Sequence, residues 1–410
     1  MSAGRWFSQP FKHCLIIDDN ALVGGPLSDN RMGSQTRNKT HLEISSKPEI
    51  LAILNAMPDL ISPPRRICLV RLSALGDVCL VVPLVRVLQR AWPSTHLTWV
   101  IGREALPLVE GLSDIEFLVF DKRRGMGEYL RIGRALRKQH FDVLLALQAS
   151  LRVNLLYPLI NARRKIGFDR RRAKDGHGWF VSETIPPSRQ HFVDAYLSFA
   201  RQLGLEPGMP TWDLPLPDSA QADALKRIAG LPRPLIVVNP ASSKAERNWP
   251  VDRYATVIEK ASARWRGGFV LTGGPSAAER NLSEQIVGAL AGCAPVVNAT
   301  GTTTLPQLLA LLAEADVVVS PDTGPAHLAD AMGTPVVGLY AVAPAALSGP
   351  YRSRHLTVDK FDEAAQRFLG QKADTLPWNS RVHHPEAIFM VTVEDILAKV
   401  GNALTAPPPQ

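Results

Sequence analysis

Four loops carry the residues best suited to chemistry, and the most informative of them lies between Ala315 and Ala329. There an apolar run passes directly into the polar sequence Asp322-Thr323-Gly324-Pro325-Ala326-His327. The pattern predicts a buried strand, an elbow and a helix that begins at about Pro325, because proline is favoured at the first helical position. Backbone N–H groups at such a helix start bind anions with help from the helix dipole, so the segment predicts a diphosphate site. Taken alone, it is also explained by a strand and a helix that Asp322 caps.

A carboxylate suited to acid–base chemistry follows the short apolar run at 67–70. Asp77 falls in the loop Arg71–Val78, where the predicted strand turns into the next helix. A carboxylate at this elbow could accept the proton of an attacking hydroxyl group. The alternative is that Asp77 only caps the helix, which is a common role for Asp.

Two further polar loops follow predicted strands in the second half of the chain. The loop at 239–250 holds hydroxyl groups and cations that could bind a nucleotide diphosphate and neutralise its charge as it departs, namely Ser242, Ser243, Lys244 and Arg247. The turn Thr272-Gly273-Gly274 could line a nucleotide pocket or form only a tight turn. All four loops stand at strand-to-helix elbows, and this joint occurrence is the argument for one shared site.

Strands and helices alternate twice along the chain, which indicates two parallel sheets with helices on both faces. In the first half, strands are predicted at 97–101, 115–120 and 143–147, with helices at 104–110, 128–139 and 151–161. A proline-rich stretch at 205–234 predicts a linker with one short helix, after which the alternation restarts. The predicted organisation is a partly disordered N-terminal extension at 1–63, a first domain at 64–215, a linker at 216–230 and a second domain at 231–410. Ligands of such sheets bind at the carboxyl ends of the strands.

Length and composition restrict the class of protein. A chain of 410 residues with 46% hydrophobic and 20% charged residues is long enough for two globular cores. The formal net charge of +8 favours attraction to polyanions. The four cysteines form no CxxC pair, which indicates a reducing compartment without a metal cluster, and Cys68 and Cys79 resemble small buried hydrophobic residues. The pattern shows neither a membrane span nor a secretory signal.

These motifs resemble glycosyltransferase family 9. In that family the first strand runs into an [RK]-x-[ST]-x-x-G-D-[VI] loop, seen here at Arg71–Val78, and the second domain carries D-[TS]-G-x-x-H, seen here at Asp322–His327. A polar loop ending in W-P and a glycine elbow match 239–250 and 272–274. The likeness extends from about residue 66 to residue 404. It departs from the family at Arg247, where a lysine is common, and leaves open whether Arg247 or Lys244 faces the donor.

The resemblance implies a GT-B fold, in which two Rossmann-like parallel-sheet domains face a cleft. It implies an inverting, metal-independent transferase that uses ADP-L-glycero-D-manno-heptose as donor and the Kdo-lipid A inner core of lipopolysaccharide as acceptor. Asp77 would be the general base and Asp322 would bind the heptose. Thr323, Gly324 and His327 would lie near the diphosphate. No metal and no cofactor besides the donor is expected.

Clusters of cations in the first domain gain meaning from this resemblance. Arg and Lys crowd residues 163–174, and a smaller run lies at 122–124. We expect an anionic lipid acceptor to be drawn to them, with Ser73, Arg163, Arg164 and Arg170 as acceptor-binding residues. The alternative is a solvated basic loop. The expected location is the cytoplasm, with peripheral contact at the cytoplasmic face of the inner membrane.

Four other functions compete with this interpretation. A family 9 enzyme could use another nucleotide-sugar or another glycan acceptor, and a non-catalytic relative could bind nucleotide-sugar only. An NAD-dependent oxidoreductase is disfavoured because no GxGxxG motif follows a strand. A nucleic-acid-binding protein would fit the charge, but the sequence carries no recognised nucleic-acid motif.

Overall fold

Twelve strands in the computed structural model, which describes residues 63–405, form the framework of the protein. In chain order they are β1 (Arg66–Val70), β2 (His96–Gly102), β3 (Ile115–Phe120), β4 (Phe141–Ala146), β5 (Ala162–Gly167), β6 (Glu183–Thr184), β7 (Leu235–Val238), β8 (Gly268–Leu271), β9 (Val296–Asn298), β10 (Val317–Pro321), β11 (Val336–Tyr340) and β12 (Val358–Asp359). They form two six-stranded parallel sheets, ordered β3-β2-β1-β4-β5-β6 and β9-β8-β7-β10-β11-β12. Both sheets therefore repeat one doubly wound topology.

Twelve α-helices cover the faces of these sheets within the described residues. They are α1 (Leu75–Ala91), α2 (Met126–Leu136), α3 (Leu151–Asn154), α4 (Phe192–Gln202), α5 (Asp218–Ile228), α6 (Val251–Trp265), α7 (Ala277–Leu290), α8 (Leu305–Glu314), α9 (Gly324–Ala331), α10 (Ala345–Ser348), α11 (Phe361–Leu369) and α12 (Val393–Thr405). We call β1 to α4 the first lobe and α5 to α12 the second lobe. Cys14 and all but the last residue of the predicted N-terminal extension at 1–63 lie outside the described residues.

The topology creates one switch point in each sheet. The chain order reverses between β1 and β4 in the first lobe and between β7 and β10 in the second, and each of these pairs is parallel. Loops at such a point splay to opposite faces of the sheet and leave a crevice at the carboxyl ends of the strands. Asp77 follows β1, and the Asp322 motif follows β10, so two of the four predicted loops stand at the two crevices.

Burial explains why the central strands form where they do. Ile67, Leu69, Val237 and Val318 are fully buried, because helices cover both faces of each sheet. The run of apolar residues without alternation is typical of such central parallel strands. α5 packs against α8 of the second lobe, so the helix predicted in the linker belongs to that lobe's layer of helices.

Two predicted helices are wrong. In place of a helix at 104–110 the chain forms one 3-10 turn, Leu106–Leu108, with Pro107 at its start. The helix predicted at 151–161 ends after α3, and a separate 3-10 turn, Tyr157–Leu159, follows it. Pro158 explains this break, because proline lacks the N–H that a continuing helix needs. Strands β5, β6, β9 and β12 and helices α4, α10 and α11 were not predicted.

The prediction for the cysteines is confirmed for the two that lie in the first lobe. Cys68 and Cys79 are free and fully buried, and Cys293 is free and exposed. Burial raises the pKa of the Cys68 and Cys79 thiols far above the ordinary value. Both thiols are therefore protonated, packed groups and not nucleophiles.

His191, the residue before α4, joins the two lobes. Its Nδ1 accepts a hydrogen bond from the Val193 amide at 3.1 Å, so its Nε2 must carry the proton that is donated to the Gly349 carbonyl at 2.8 Å. Tyr351 adds a second contact across the lobes, since its hydroxyl donates to Asp194 at 2.7 Å. Burial lowers the pKa of His191 to about 3, so the ring is neutral in the folded protein.

We expect His191 to make the protein sensitive to acid. Its folded pKa lies below the ordinary value of 6.5, so its contribution is complete above that value and is lost as the pH falls towards 3. In denaturant unfolding between about pH 6 and pH 4, His191→Gln should reduce the pH slope of the unfolding free energy by about 1.4 kcal/mol per pH unit. Equal slopes in the two proteins would contradict a neutral, buried His191.

Candidate active site

Asp77 lies in the first turn of α1, and its position is held by two contacts. The guanidinium of Arg71 pairs with its Oδ2 at 2.5 Å, and the amide of Ala74 donates to the same oxygen at 3.2 Å. Asp77 therefore caps its helix, which is the role that the sequence analysis gave as the alternative to catalysis. Its side chain nevertheless remains about 30% exposed. Both contacts involve Oδ2. Within residues 63–405, Oδ1 of Asp77 is therefore the oxygen that can bind a ligand.

Arg71 is the residue that orients Asp77. Its guanidinium is buried, donates to the Leu147 carbonyl at 2.8 Å and lies over the ring of Tyr196. Burial lowers the pKa of Arg71, but the charge and the hydrogen bond of Asp77, together with the nearby Tyr196 and Tyr157, leave that pKa above its ordinary value. The pair therefore keeps a fixed cation behind the carboxylate.

The start of α1 packs directly against the start of α9 across the two lobes. A Cβ placed on Gly76 would lie 2.6 Å from the His327 ring and 3.3 Å from the Gly324 backbone. The Cys79 thiol approaches the His327 carbonyl at 3.5 Å in the same interface. The neighbours of Asp77 thus touch the neighbours of Thr323, and the two predicted motifs share one crevice.

α9 begins at Gly324 with Thr323 as its N-cap residue, one residue earlier than predicted. The amide of Ala326 donates to the Thr323 carbonyl at 3.2 Å, so this N–H group of the helix start is not free to bind an anion. The His327 ring is buried, and its Nδ1 has no partner among the described residues. This ring nitrogen is therefore available to form a hydrogen bond with a ligand at the helix start.

Asp322 lies under this helix start and is nearly buried. Arg247 pairs with its carboxylate at 3.1 Å and donates to its carbonyl at 3.0 Å. Tyr340 donates to the other carboxylate oxygen at 3.4 Å. Burial, followed by the charge of Asp322, raises the pKa of Tyr340 well above its ordinary value. The carboxylate therefore holds a cation, Arg247, at the crevice.

The loop after β7 runs beside Asp322. The Ser242 hydroxyl donates to the Asp322 carbonyl at 3.3 Å, and the Ser242 amide donates to Asn248 at 2.7 Å. Ser243 and Lys244 are exposed. A cavity of about 370 Å³ opens between this loop and α7, and Ser242, Ser243 and Glu279 are among its lining residues. Of the two candidate cations, Arg247 is the one that the fold turns to the α9 start.

The glycine elbow after β8 has a different environment from the one predicted for a pocket wall. Thr272 is fully buried, where its hydroxyl faces Asn239 at 3.5 Å. Gly274 donates its amide to Glu279 at 2.5 Å, and Ser276 caps α7 by accepting from the Glu279 amide. Gly273 and Gly274 allow the strand to approach Glu279 closely, since a Cβ on either would lie within 3.3 Å of that carboxylate. The elbow therefore holds the Glu279 carboxylate at the wall of the 370 Å³ cavity.

The comparisons with known proteins agree with one another. Residues 129–375 match the family model described as "Glycosyltransferase family 9 (heptosyltransferase)". The chain is 32% identical over 345 residues to the lipopolysaccharide core heptosyltransferase OpsX of Haemophilus influenzae, which covers 84% of this chain and 98% of that protein. The chain belongs to glycosyltransferase family 9. It is also 25% identical over 343 residues to lipopolysaccharide heptosyltransferase 3 of Escherichia coli, with 80% and 96% coverage.

Solved structures show the same fold. The family 9 glycosyltransferase of Veillonella parvula superposes with a TM-score of 0.70 at 22% identity and covers 83% of this chain and 97% of its own. The E. coli heptosyltransferase WaaC with ADP superposes with a TM-score of 0.61 at 19% identity, with 82% and 99% coverage. This family 9 protein therefore has the GT-B fold and is a glycosyltransferase, which decides against the oxidoreductase and nucleic-acid alternatives.

Two cavities of this family 9 protein open beside Asp77. One, of about 440 Å³, is lined by both lobes, with Asp77, Arg172 and Lys174 from the first and Trp378 and Arg381 from the second. The other, of about 470 Å³, lies in the first lobe and is lined by four cations of three segments, namely Arg103, Lys122, Arg123 and Arg152, and by two acids, Asp121 and Glu104, which pair with Arg103 and Lys122. Both cavities are therefore basic, and Ser73 lines both of them.

The arginines predicted to bind the acceptor are spread over two ends of the first sheet. Arg163 and Arg164 lie at the amino end of β5, opposite the edge that carries Asp77, and Arg164 pairs with Glu183 at 2.7 Å. Arg170 is exposed in the loop that follows the carboxyl end of β5. Arg172 and Lys174 of the same loop line the cavity at Asp77, and the sequence reasoning did not single out these two residues as ligands.

Arg381 is a site residue that the sequence analysis missed. It is half-buried in a segment of the second lobe that returns to the first, where Trp378 donates to the Gln190 carbonyl at 2.8 Å. Burial lowers the pKa of Arg381, whereas the charges of Asp322 and Asp77 act in the opposite direction. Its guanidinium is thus within electrostatic reach of both predicted aspartates. No strand ends directly before it, so a search for strand elbows could not find it.

Gly76→Ala tests the contact between the two helix starts. Alanine favours helix α1 by itself, but its Cβ would meet the His327 ring. We expect turnover to fall about tenfold to a hundredfold, because a displacement of about 1 Å between reacting groups has costs of this order. Steady-state kinetics measures the effect, and Gly127→Ala is the matched control, since it occupies the same turn of α2 in open space. Equal turnover in both variants would contradict a tight interface at the site.

Proposed function

We propose that this protein is an inverting heptosyltransferase that transfers heptose from ADP-L-glycero-D-manno-heptose to the Kdo-lipid A inner core of lipopolysaccharide. One observation carries the proposal. The start of α1, which holds Asp77, packs against the start of α9 in the other lobe, and the start of α9 is of the type that binds phosphate. Membership of family 9 and the relatives that are lipopolysaccharide core heptosyltransferases support the donor and the acceptor.

Asp77 acts as the general base in the proposed reaction. Its Oδ1 takes the proton of the acceptor hydroxyl as the hydroxyl oxygen forms a bond to the anomeric carbon. On the opposite face of the sugar the bond to the diphosphate oxygen breaks, so the configuration inverts and ADP leaves with the bonding electrons. Arg71 and the Ala74 amide hold Oδ2 and aim the carboxylate. No metal ion is part of the proposal.

The second lobe stabilises the departing diphosphate. The amino end of α9 supplies backbone N–H groups, a helix dipole and the Nδ1 of His327. Asp322 fixes Arg247 beside them, and Arg381 adds a cation from the returning segment. Charge that develops on the leaving oxygen is thus met by groups already in place. That Asp322 also binds the heptose stays a prediction.

The first lobe receives the acceptor. The two cavities at Asp77 carry cations that match the phosphate and carboxylate groups of an inner-core lipid, among them Lys122, Arg152 and Arg172. Among residues 63–405, no helix is both long and apolar enough to cross a bilayer. Because the proposed acceptor is an anionic lipid, we propose that the enzyme acts in the cytoplasm, in peripheral contact with the cytoplasmic face of the inner membrane.

A donor panel tests the proposed substrates. The full-length protein is incubated with Kdo-lipid A and one nucleotide-sugar at a time, and release of the nucleoside diphosphate is measured. We expect ADP release from ADP-heptose, with an inverted anomeric centre in the product. Faster release from a UDP- or GDP-sugar would overturn the donor, and release that does not depend on Kdo-lipid A would overturn the acceptor.

Asp77→Asn separates the base from the helix cap. We expect turnover to fall by about 10² to 10⁴-fold, because the amide cannot accept the proton, while donor binding by calorimetry stays close to that of the wild type. Asp395→Asn is the matched control, because Asp395 caps α12 from the same position and accepts from the Thr392 amide at 3.1 Å. Unchanged turnover of Asp77→Asn would refute the base.

Arg381 is tested by charge and by shape. We expect Arg381→Ala to lower turnover about a hundredfold, the order found when one stabilising group is removed from a developing charge. Arg381→Lys should recover part of this loss, since it restores the positive charge without the planar fork. If both variants lost turnover equally and both bound ADP as the wild type does, Arg381 would not act through its charge.

A further inference from the structure

One segment of the first lobe carries a large excess of positive charge. Residues 122–180 hold fifteen Lys and Arg against four Asp and Glu, a net charge of +11, while the chain as a whole carries +8. Two of the four acids add little negative charge to the surface of this segment, because they are buried. Glu128 is buried and bonded to Arg131, Asp169 is buried and bonded to Arg172, and Asp175 accepts the Leu151 amide at 2.9 Å.

The same segment exposes most of the large apolar side chains that reach solvent. Five of the nine that are exposed in the described residues belong to it, namely Met126 (70%), Leu130 (69%), Leu151 (61%), Leu155 (44%) and Trp179 (87%). In a helical segment, residues four positions apart share a face, so Met126 pairs with Leu130 and Leu151 with Leu155. These five side chains are called the apolar patch below.

Contacts between backbone and side chains make the apolar patch one surface. The Tyr129 hydroxyl of α2 donates to the Arg152 carbonyl of α3 at 2.9 Å. Asn154 of α3 donates to the carbonyls of Lys174 and Asp175, in the loop that leads to Trp179. An open groove of about 780 Å³ lies between α2 and α3. Three residues of the apolar patch and three cations are among the residues that line it: Met126, Leu130 and Leu155, and Arg134, Arg137 and Lys165.

We propose that the apolar patch and its surrounding cations dock on the surface of an anionic lipid bilayer. Leu, Met and Trp side chains at the end of short amphipathic elements enter the boundary between headgroups and acyl chains, and Arg and Lys bind the anionic headgroups. Interfaces between proteins are depleted in Lys at their core, whereas here Arg134, Arg137 and Lys165 line the groove together with its apolar side chains. The charge and the apolar residues thus point to the same occupant.

The docked orientation explains how a lipid acceptor reaches Asp77, and this step rests on the proposed function. Arg152 of α3 and Lys122 and Arg123, just before α2, border the patch and also line the 470 Å³ cavity. A lipid whose acyl chains stay in the bilayer can therefore place its anionic sugar headgroup in that cavity. The enzyme would not need to extract its acceptor from the membrane.

Vesicle sedimentation with the full-length protein tests the docking surface. Vesicles of phosphatidylethanolamine with phosphatidylglycerol, without any lipopolysaccharide precursor, should bind the wild type, and vesicles of phosphatidylcholine alone should bind it at least about tenfold more weakly. The double variant Leu130→Ser/Leu151→Ser should lose about tenfold or more in affinity for the anionic vesicles. The double variant Met209→Ser/Leu225→Ser, which removes exposed apolar side chains elsewhere, is the control and should bind as the wild type does.

The charge contribution has its own pair of variants. Arg134→Glu/Arg137→Glu should weaken binding to the anionic vesicles about tenfold or more, and Lys226→Glu/Lys372→Glu, with the same change in net charge outside the patch, should not. Equal loss in both pairs would mean that only overall charge attracts the protein, which would overturn the proposed surface. Wild-type binding by Leu130→Ser/Leu151→Ser would overturn it as well, and so would a dimer that this variant dissociates in sedimentation velocity.

A water-soluble, deacylated acceptor distinguishes docking from catalysis. On this acceptor the patch variants should turn over as the wild type does, although they no longer bind vesicles. Asp77→Asn should bind vesicles and fail to turn over. Vesicle binding without any heptosyl transfer would retain the docking surface and reject the proposed function, and transfer without vesicle binding would do the reverse.

Discussion

The close contact between the amino ends of α1 and α9 is the constraint on which the site depends. Gly76 has no room for a side chain because the His327 ring and the Gly324 backbone occupy that space. Two helix starts, each with its own positive dipole end, therefore face one crevice. Such an arrangement repels itself unless negative charge lies between the two ends. Asp77 supplies one such charge, and a bound diphosphate would supply more.

Two ion pairs, one in each lobe, fix the positions of the charged side chains at the crevice. Arg71 holds Asp77 from the first lobe, and Asp322 holds Arg247 from the second. Each pair leaves one member at the crevice, an anion on the acceptor side and a cation on the donor side. This polarity matches the needs of a reaction in which a proton leaves one substrate and negative charge develops on the other. The returning segment with Arg381 adds a cation within reach of both aspartates.

Contacts outside the crevice keep the lobes in register. The neutral His191 ring bonds to Gly349, Tyr351 bonds to Asp194, and Arg189 donates to the carbonyls of Asp374 and Leu376. None of these residues belongs to a strand, so the contacts join loops, turns and the start of α4. Trp378 and Gln190, which also bond across the lobes, line the 440 Å³ cavity, so the interlobe contacts continue to the edge of the site.

The sequence by itself determined the parts of this protein that depend on local pattern. Runs of buried apolar residues predicted the central strands β1, β7 and β10, and the motifs that follow β1 and β10 pointed to Asp77 and to the Asp322–His327 loop. The bounds of β3 were predicted to the residue. Short edge strands such as β6 and β12 bury too few residues to leave a pattern, and the breaks at Pro107 and Pro158 outweighed helical periodicity.

Only the tertiary structure decided which predicted residues stand together. Arg247 and Lys244 are three residues apart and each carries one positive charge, yet the fold turns Arg247 to Asp322 and leaves Lys244 in solvent. Arg163, Arg164 and Arg172 belong to one basic stretch, but a strand carries the first two to the edge of the sheet away from Asp77. Arg381 lies far along the chain from every motif. Charge and spacing are local properties, whereas the distance between two side chains depends on the path of the whole chain between them.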